Sequence, residues 1–404
     1  MAELLPFQSL RPAGEMTASP DLQPTAMEPL SGFCSPSVRQ PLPGLAGGPD
    51  LTLDETPGLY AYRHDFRSET GVEKNRIGVI GLLRPDEGPA SQTFTIQETE
   101  PHGVAHRAKE METLGRQEHP VVGAIEDPSF QLESLIQASL CRGAADIDIQ
   151  LPGNERHRVW RIGDPRNVVE IQEFLRGKDC FLLDGLHAYR ALRHMCHGDR
   201  EFHPLAVLYN FMDLGVGFAS ACLLVGALRD FNVNELVLRM DHAFDAKVYP
   251  FGRDPALPRA LADFREDLRI RGYTDGVLGA CFAGVDQFFI FQLREGVDRD
   301  SLFLPDVPPP LRELDQVLLR HVVLDRYLGA PGPGSSTGAS WEYCWSVEEA
   351  IAAVRSGQFT AAFLLNPPAK RKILQFARSR LRLPAGSLRI DPPSRSGLVA
   401  CAIR

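Results

Sequence analysis

The sequence predicts a mixed α/β fold, and three observations carry that expectation. Short apolar runs rich in branched and aromatic residues alternate along the chain with stretches of helical period. Strand patterns recur at 121–125, 147–151, 158–162 and 205–211, with helix patterns at 131–141 and 165–176 among them. The composition, 404 residues with 44% hydrophobic and 24% charged, is that of an ordinary globular chain with room for two or three cores.

Composition also excludes several classes. A net charge of −9 argues against a phosphate-backbone binder, so nucleic acid is not an expected partner. The longest apolar stretch, 216–228, holds Gly, Ser and Cys between Asp213 and Arg229 and is too short to span a bilayer, so no membrane is expected either. No basic segment followed by an apolar core opens the sequence, which points to no signal peptide and a cytoplasmic location. Eight scattered cysteines without a C-x-x-C pair read as reduced thiols, and their spacing excludes a zinc ribbon.

In chain order, 4–10 reads as one short strand, and the Pro-, Gly- and Ser-rich residues that follow complete an irregular arm at 1–57. Two strand patterns at 59–66 and 77–83 flank a polar segment and predict a hairpin. His102 and His106 sit four apart on an expected helix face, but no third ligand accompanies them, so no metal site is expected there. Asp164-Pro165 and Gly177 punctuate a helix as N-cap, first turn and stop. That helix leads to the stretch CFLLDGLHAYRAL at 180–192, around which the chain is organised. Its apolar run predicts a buried strand, Asp184-Gly185 a tight turn, and 186 onward a helix. A glycine turn into a helix start is an anion cradle, or simply a capped bend; both readings stand on spacing alone.

Beyond this turn, His194, Cys196, His197 and His203 read as a polar helix end. Residues 205–211 form a strong strand, 232–272 are largely helical in their second half, 277–293 contain one more buried strand, and 311–328 repeat at helical steps. GAPGPGSSTGAS at 329–340 has no lysine before its serines and two prolines that remove N–H donors, so it reads as a linker rather than a phosphate loop. A helix at 347–356, a strand at 360–365 and a basic helix at 369–382 make a smaller C-terminal α/β portion, 341–404.

CFLLDGLHAYRAL resembles the Asp-Gly-His-His-Arg-Tyr segment of the microbial domain of unknown function 1015 family, and the phosphate-binding turn of ParB/sulfiredoxin-like proteins, which include free-serine kinases. The likeness continues in LLPFQSLRP, GLYAYRHDF with RIGVIGLLRP, EPHGVAHRAKE, HRVWRIGDP, LAVLYNFMDLG, and FTAAFLLNPP with SGLVACAI. The resemblance implies a ParB/sulfiredoxin-like α/β core with insertions at 58–328, onto which the C-terminal portion packs. It also implies a site in which Asp184 or His187 acts as base, while Gly185, Tyr189, Arg190, Lys109 and His102 hold phosphates or a nucleotide.

Several family elements are altered. Leu186 and Ala188 replace a histidine and the arginine of the central motif, and Gly103 replaces the glutamate of a Pro-His-Glu motif. The Pro-Thr-His-Arg-like motif gives way to GFASACLLVGAL, and the C-terminal LPAGSLRIDPPSRSGL keeps neither family lysine, leaving Arg389 or Arg395 to replace the charge. Losing one transition-state charge contact costs about 3 kcal/mol, so the expectation is a diverged, non-catalytic member with residual nucleotide or phosphate binding. The alternative is a small-molecule, serine-like kinase that uses magnesium and a nucleotide. A pocket joining Asp184, His187, His102 and Lys109 favours the enzyme; an apolar one lined by Leu186, Ala188 and Leu223 favours the binder.

Overall fold

The computed structural model describes residues 3–12, 51–68, 70–86, 91–140, 143–196, 203–226, 228, 231–252, 256–272, 276–330 and 340–403. Most of the expected N-terminal arm and of the 329–340 linker, and His197, lie outside the described residues.

Two sheets organise the chain, and the first takes its strands from the first half. In chain order these elements are β1 (Glu3–Leu5), β2 (Leu59–Arg67), β3 (Glu73–Arg84), β4 (Thr93–Thr95), α1 (Pro101–Leu114), β5 (Val121–Ile125), α2 (Gln131–Ser139), β6 (Ile147–Leu151), β7 (Glu155–Ile162), α3 (Pro165–Leu175), β8 (Cys180–Asp184), α4 (Leu186–Met195) and β9 (Leu205–Asn210). The strand order is β4-β8-β5-β9-β3-β2-β7-β6, with β1 pairing the far end of β3. β4 runs parallel to β8 and β5 parallel to β9, while the remaining pairs are antiparallel, so the sheet is mixed. Helices α2 and α3 cover one face through Leu132, Ile136, Val168 and Ile171. α3 begins as its sequence requires: the Asp164 carboxylate accepts the N–H of Arg166 at 2.9 Å, with Pro165 in the first turn.

The second sheet continues with β10 (Gly217–Ala219), β11 (Cys222–Gly226), β12 (Phe244–Pro250), α5 (Leu257–Arg271), β13 (Val277–Phe282), β14 (Gln287–Leu293), β15 (Ser340–Cys344), α6 (Val347–Arg355), β16 (Ala361–Leu364), α7 (Lys370–Arg378) and β17 (Arg389–Asp391). Its order is β12-β14-β13-β16-β11-β15, while β10 and β17 form a separate small ladder. β15, the first strand after the linker region, pairs directly with β11, and β16 pairs with both β11 and β13, so strands of the C-terminal portion complete this sheet. Both faces are buried, and alternate residues divide between them. Leu223, Val225, Phe289, Phe291 and Phe363 join the core shared with Phe181 and Phe211 of the first sheet. Leu224, Phe288, Ile290 and Ala362 face α5 and α6.

Three local expectations need correction. The strand expected at 4–10 is interrupted after Leu5, where Pro6 has no N–H to donate; Phe7 makes a single bridge to Gly58, and a regular strand resumes at Leu10–Pro12. The stretch 277–293 is a hairpin of two strands, its continuous apolar run reflecting burial on both faces. Residues 311–328 do not make one regular helix: a 3₁₀ turn at Pro309–Glu313 and an α turn at Asp315–Leu318 lead into a π-helical segment at Leu319–Tyr327. No helix among the described residues is long and apolar enough to cross a membrane.

Candidate functional site

The central stretch folds as its residues dictate. Phe181, Leu182 and Leu183 are fully buried in β8, and the chain turns at Gly185 into α4. Gly185 has φ +73°, and a Cβ there would lie 3.0 Å from the Val121 Cα, so conformation and space both require glycine. The Asp184 carboxylate accepts the Gly185 N–H at 2.6 Å. It thus braces the turn without capping α4, whose first turn has no side-chain cap.

This turn opens onto a cavity of about 450 Å³ between the two sheets, a volume usual for a small-molecule site. The 97–107 segment, with the start of α1, forms one wall, and the Asp184–Ala188 turn the floor. Tyr343 and Trp345, at and just beyond the end of β15, form a third side. The 385–396 segment, with Arg389, Ser394 and Ser396, forms the fourth.

Of the residues expected in a site, Asp184, Gly185, His187 and His102 line this cavity. Lys109, Tyr189 and Arg190 do not. Tyr189 faces the core under the first sheet, because it shares an apolar face of α4 with Leu186 one turn before it. Lys109 is exposed on α1. Arg190 is half-buried near Glu98 and Arg382, and burial lowers its pKa. The lining contains Leu186 and Ala188 but not Leu223, so the cavity joins acid, imidazole and apolar walls.

Arg107, Arg389, His119, Tyr343 and Trp345 complete it. Arg389 had been singled out only as a substitute for a lost lysine. Arg107 follows Gly103 by four residues and His106 by one, a helical spacing the histidine pair already hinted at. Tyr343 and Trp345 alternate with Cys344, a period-two signal in WEYCW. The Arg389 guanidinium stacks 4.6 Å from the Trp345 ring centroid, a cation–π contact that orients its charge.

Electrostatics in the cavity follow from burial. The Asp184 carboxyl is pushed up by desolvation, against the pull of the Gly185 N–H, Arg389, the Ile390 N–H and Arg107. Desolvation, then the charge of Arg107, lowers His187 to about 4 and His119 to about 4. Neutral His187 accepts the backbone N–H of Glu100 at 3.3 Å through Nε2, which ties the floor to the start of α1. The Glu100 carboxylate lies 3.1 Å from His102 Nε2, and burial raises its pKa. Tyr343 is pushed up to about 12 by desolvation, reinforced by Glu100 and Glu98 across the cavity.

Gly103 explains the altered Pro-His-Glu motif. A Cβ at this position would stand 2.6 Å from His187 Cδ2 and 2.8 Å from Nε2, so the imidazole fills the space a side chain would need. Gly103→Ala is expected to cost about 1 kcal/mol net, since overpacking outweighs the gain in helix propensity. In a His187→Ala background the same change is expected to stabilise by about 1 kcal/mol. A double-mutant cycle by chemical denaturation checks this, and additive effects would refute the contact.

Metal-ligating chemistry also gathers at His64, Glu155 and His157, whose ligand atoms lie within 4.8 Å of one another. Their hydrogen bonds order them otherwise. Arg76, a donor only, donates to His64 Nδ1 at 3.0 Å, which places the imidazole proton on Nε2, facing Glu155 at 3.0 Å. The lone pair a metal would need at Nε2 is therefore occupied by a proton. Tyr62 bonds His157 Nδ1 at 2.8 Å on the other side, and His157 Nε2 lies 3.2 Å from the same carboxylate oxygen.

Fold and site together define a mixed α/β protein with a largely apolar, aromatic-walled cavity between two sheets, into which a few ionisable groups converge. The profile of the family described as "Protein of unknown function (DUF1015)" matches residues 50–284, more than half of the chain, and the chain belongs to that family. Solved structures similar to it include a conserved hypothetical protein from Pyrococcus furiosus, at 10% identity and TM-score 0.37, covering 78% of this chain and 92% of that one. A free serine kinase in complex with AMP is similar at 10% identity and TM-score 0.35, covering 75% and 85%. SbnI with a C-terminal truncation, from Staphylococcus aureus, is similar at 10% identity and TM-score 0.34, covering 78% and 84%. No curated protein is significantly similar to the chain.

Proposed function

We propose that this chain binds a small phosphorylated ligand, a nucleotide or a nucleotide-like compound, in the cavity at the Asp184–Ala188 turn, without efficient catalysis. One observation carries the reading: Asp184, His187 and His102 converge with the guanidinium-bearing residues Arg107 and Arg389 and with Tyr343 and Trp345 on a single cavity. Guanidinium groups recognise phosphate oxygens, and aromatic faces recognise a planar ring. The resemblance to ParB/sulfiredoxin-like proteins supports the same ligand class. The base candidates are committed elsewhere, His187 Nε2 to the Glu100 N–H and an Asp184 oxygen to the Gly185 N–H. Lys109, Tyr189 and Arg190 stand outside the lining, so three of the five expected phosphate or nucleotide contacts are missing.

A second reading, a kinase acting on a small hydroxyl compound with magnesium and a nucleotide, is favoured by the buried Asp184 carboxyl on the cavity floor, a pKa environment suited to general base catalysis. Thermal-shift titration with ATP, ADP and AMP, with and without magnesium, tests both, alongside an Asp184→Ala/His187→Ala variant. A ligand-dependent rise in Tm that vanishes in the variant is the expected result. Absence of any shift at millimolar nucleotide would sink the binding reading. Phosphorylation of serine or a related acceptor by the unaltered protein would replace it with the kinase.

A further inference from the structure

Arg76, on β3, is 0% exposed, the largest side chain so deeply buried among the described residues. It is sandwiched between the rings of Phe66, 5.4 Å away, and Tyr209, 5.3 Å away. Besides His64, its guanidinium donates to three main-chain carbonyls: Gly215 O at 3.5 Å, Asp391 O at 3.5 Å and Pro392 O. Two of these three belong to the segment that walls the cavity. The same segment is held at two further points from the first sheet. Tyr62 OH accepts the Arg395 N–H at 3.2 Å, and Tyr209 OH bonds Ser394 Oγ at 3.0 Å.

Burying a guanidinium this completely is expensive, and a well-packed apolar side chain of similar volume would serve a core at least as well. What the apolar side chain could not do is fix the direction of several carbonyls in a segment without regular structure. Two of the four groups that accept from Arg76, the carbonyls of Asp391 and Pro392, belong to that segment, and the Tyr209 ring against which the guanidinium lies carries the hydroxyl that bonds Ser394. Residues 389, 393, 394 and 396 in turn face the cavity.

We propose that Arg76 is a positioning residue for the ligand cavity. With Tyr62 and Tyr209 it sets the place of the 391–395 backbone, and through it the arginine and serine wall. Only the ligand readout below rests on the proposed function; the wall itself is tested without any ligand.

Limited trypsin digestion of the full chain, with early fragments identified by mass spectrometry, reads the state of the wall, because Arg395 lies inside it. Arg76→Met, which keeps the volume and removes the donors, is expected to speed cleavage after Arg395 at least tenfold, with cleavage at the described strands unchanged. Arg76→Lys, which keeps a charge and fewer donors, is expected to fall between. Where nucleotide binding is present, Arg76→Met is expected to raise the Kd at least fivefold at a temperature where the variant remains folded. Should Arg76→Met unfold globally, Tyr62→Phe decides, since it removes only the hydroxyl that receives Arg395; a threefold or greater rise in cleavage after Arg395 is expected. Unchanged cleavage there in the folded variants would overturn the inference. A wild-type protein that binds no nucleotide, yet shows these cleavage changes, would sink the proposed function and leave the inference standing.

Discussion

Lowering the pH from 7.5 to 5 is expected to destabilise the fold by several kcal/mol, measured by urea denaturation at each pH. His64 is held at about 3, and His119 and His187 at about 4, in each case chiefly by burial. A histidine whose folded pKa is depressed gives full stability above its unfolded value near 6.5. That stability is lost as pH falls from there toward the folded value, because only the unfolded chain takes up the proton. At pH 5 each of the three contributes a loss of roughly 1–2 kcal/mol after allowance for partial exposure. The raised carboxyls of Asp184, Glu100 and Glu133 act in the opposite sense, since the folded state then holds a proton the unfolded chain has released. They work against the loss from the histidines. His119→Gln and His187→Gln should flatten the dependence, and a stability independent of pH over this range would contradict the burial of these imidazoles in neutral form.

Arg389→Ala is expected to weaken nucleotide binding by ten- to a hundredfold, the loss of one charge-assisted contact of about 1.5–3 kcal/mol. The guanidinium already stacks on Trp345 and acts on the Asp184 carboxyl, so its removal takes away a preset charge. Isothermal titration with ADP at two salt concentrations checks this. The variant should also lose part of the salt dependence, because fewer cations face the phosphate. Equal affinity for the variant and the unaltered protein would place the phosphate elsewhere in the cavity, beside Arg107. The same substitution should push Asp184 further up, a change visible in the carboxyl titration by NMR.

Much of the fold was legible because local and global preferences agree. The hairpin of β2 and β3, the strand β8, its glycine turn and the capped start of α3 each follow from a few adjacent residues, and the structure contains them where the patterns fall. The candidate site was legible only on the side that one stretch supplies. Spacing placed Asp184 and Gly185 at a tight turn before a helix, and the resemblance alone pointed to these two, His187 and His102 as site residues. Tyr189 was misread as a ligand contact although its position one turn from Leu186 and Leu192 marks it as core. The other half of the cavity comes from Tyr343, Trp345 and Arg389, which reach it through pairings of β11 with β15 and of β10 with β17 across long intervals of sequence. No local pattern announces such pairings. Nor does periodicity show that Arg76 lies beneath a wall more than three hundred residues away; its place in β3 reads as an ordinary polar position before an apolar run.

The small ladder between β10 and β17 also bears on the order in which the molecule comes into being. A ribosome delivers every strand of the first sheet, β9 included, before it has made any of the second, and that sheet can form while the rest is still being translated. The cavity cannot. Its floor is finished early, yet the 385–396 wall arrives nearly last, and with it the carbonyls that accept the buried Arg76 guanidinium. Until then a growing chain carries Arg76, Tyr62 and Tyr209 without their partners at residues 391–395, in a sheet otherwise complete. The nascent chain therefore lacks a closed cavity, which appears as one late event, when the last part of the wall docks onto strands that have been waiting for it.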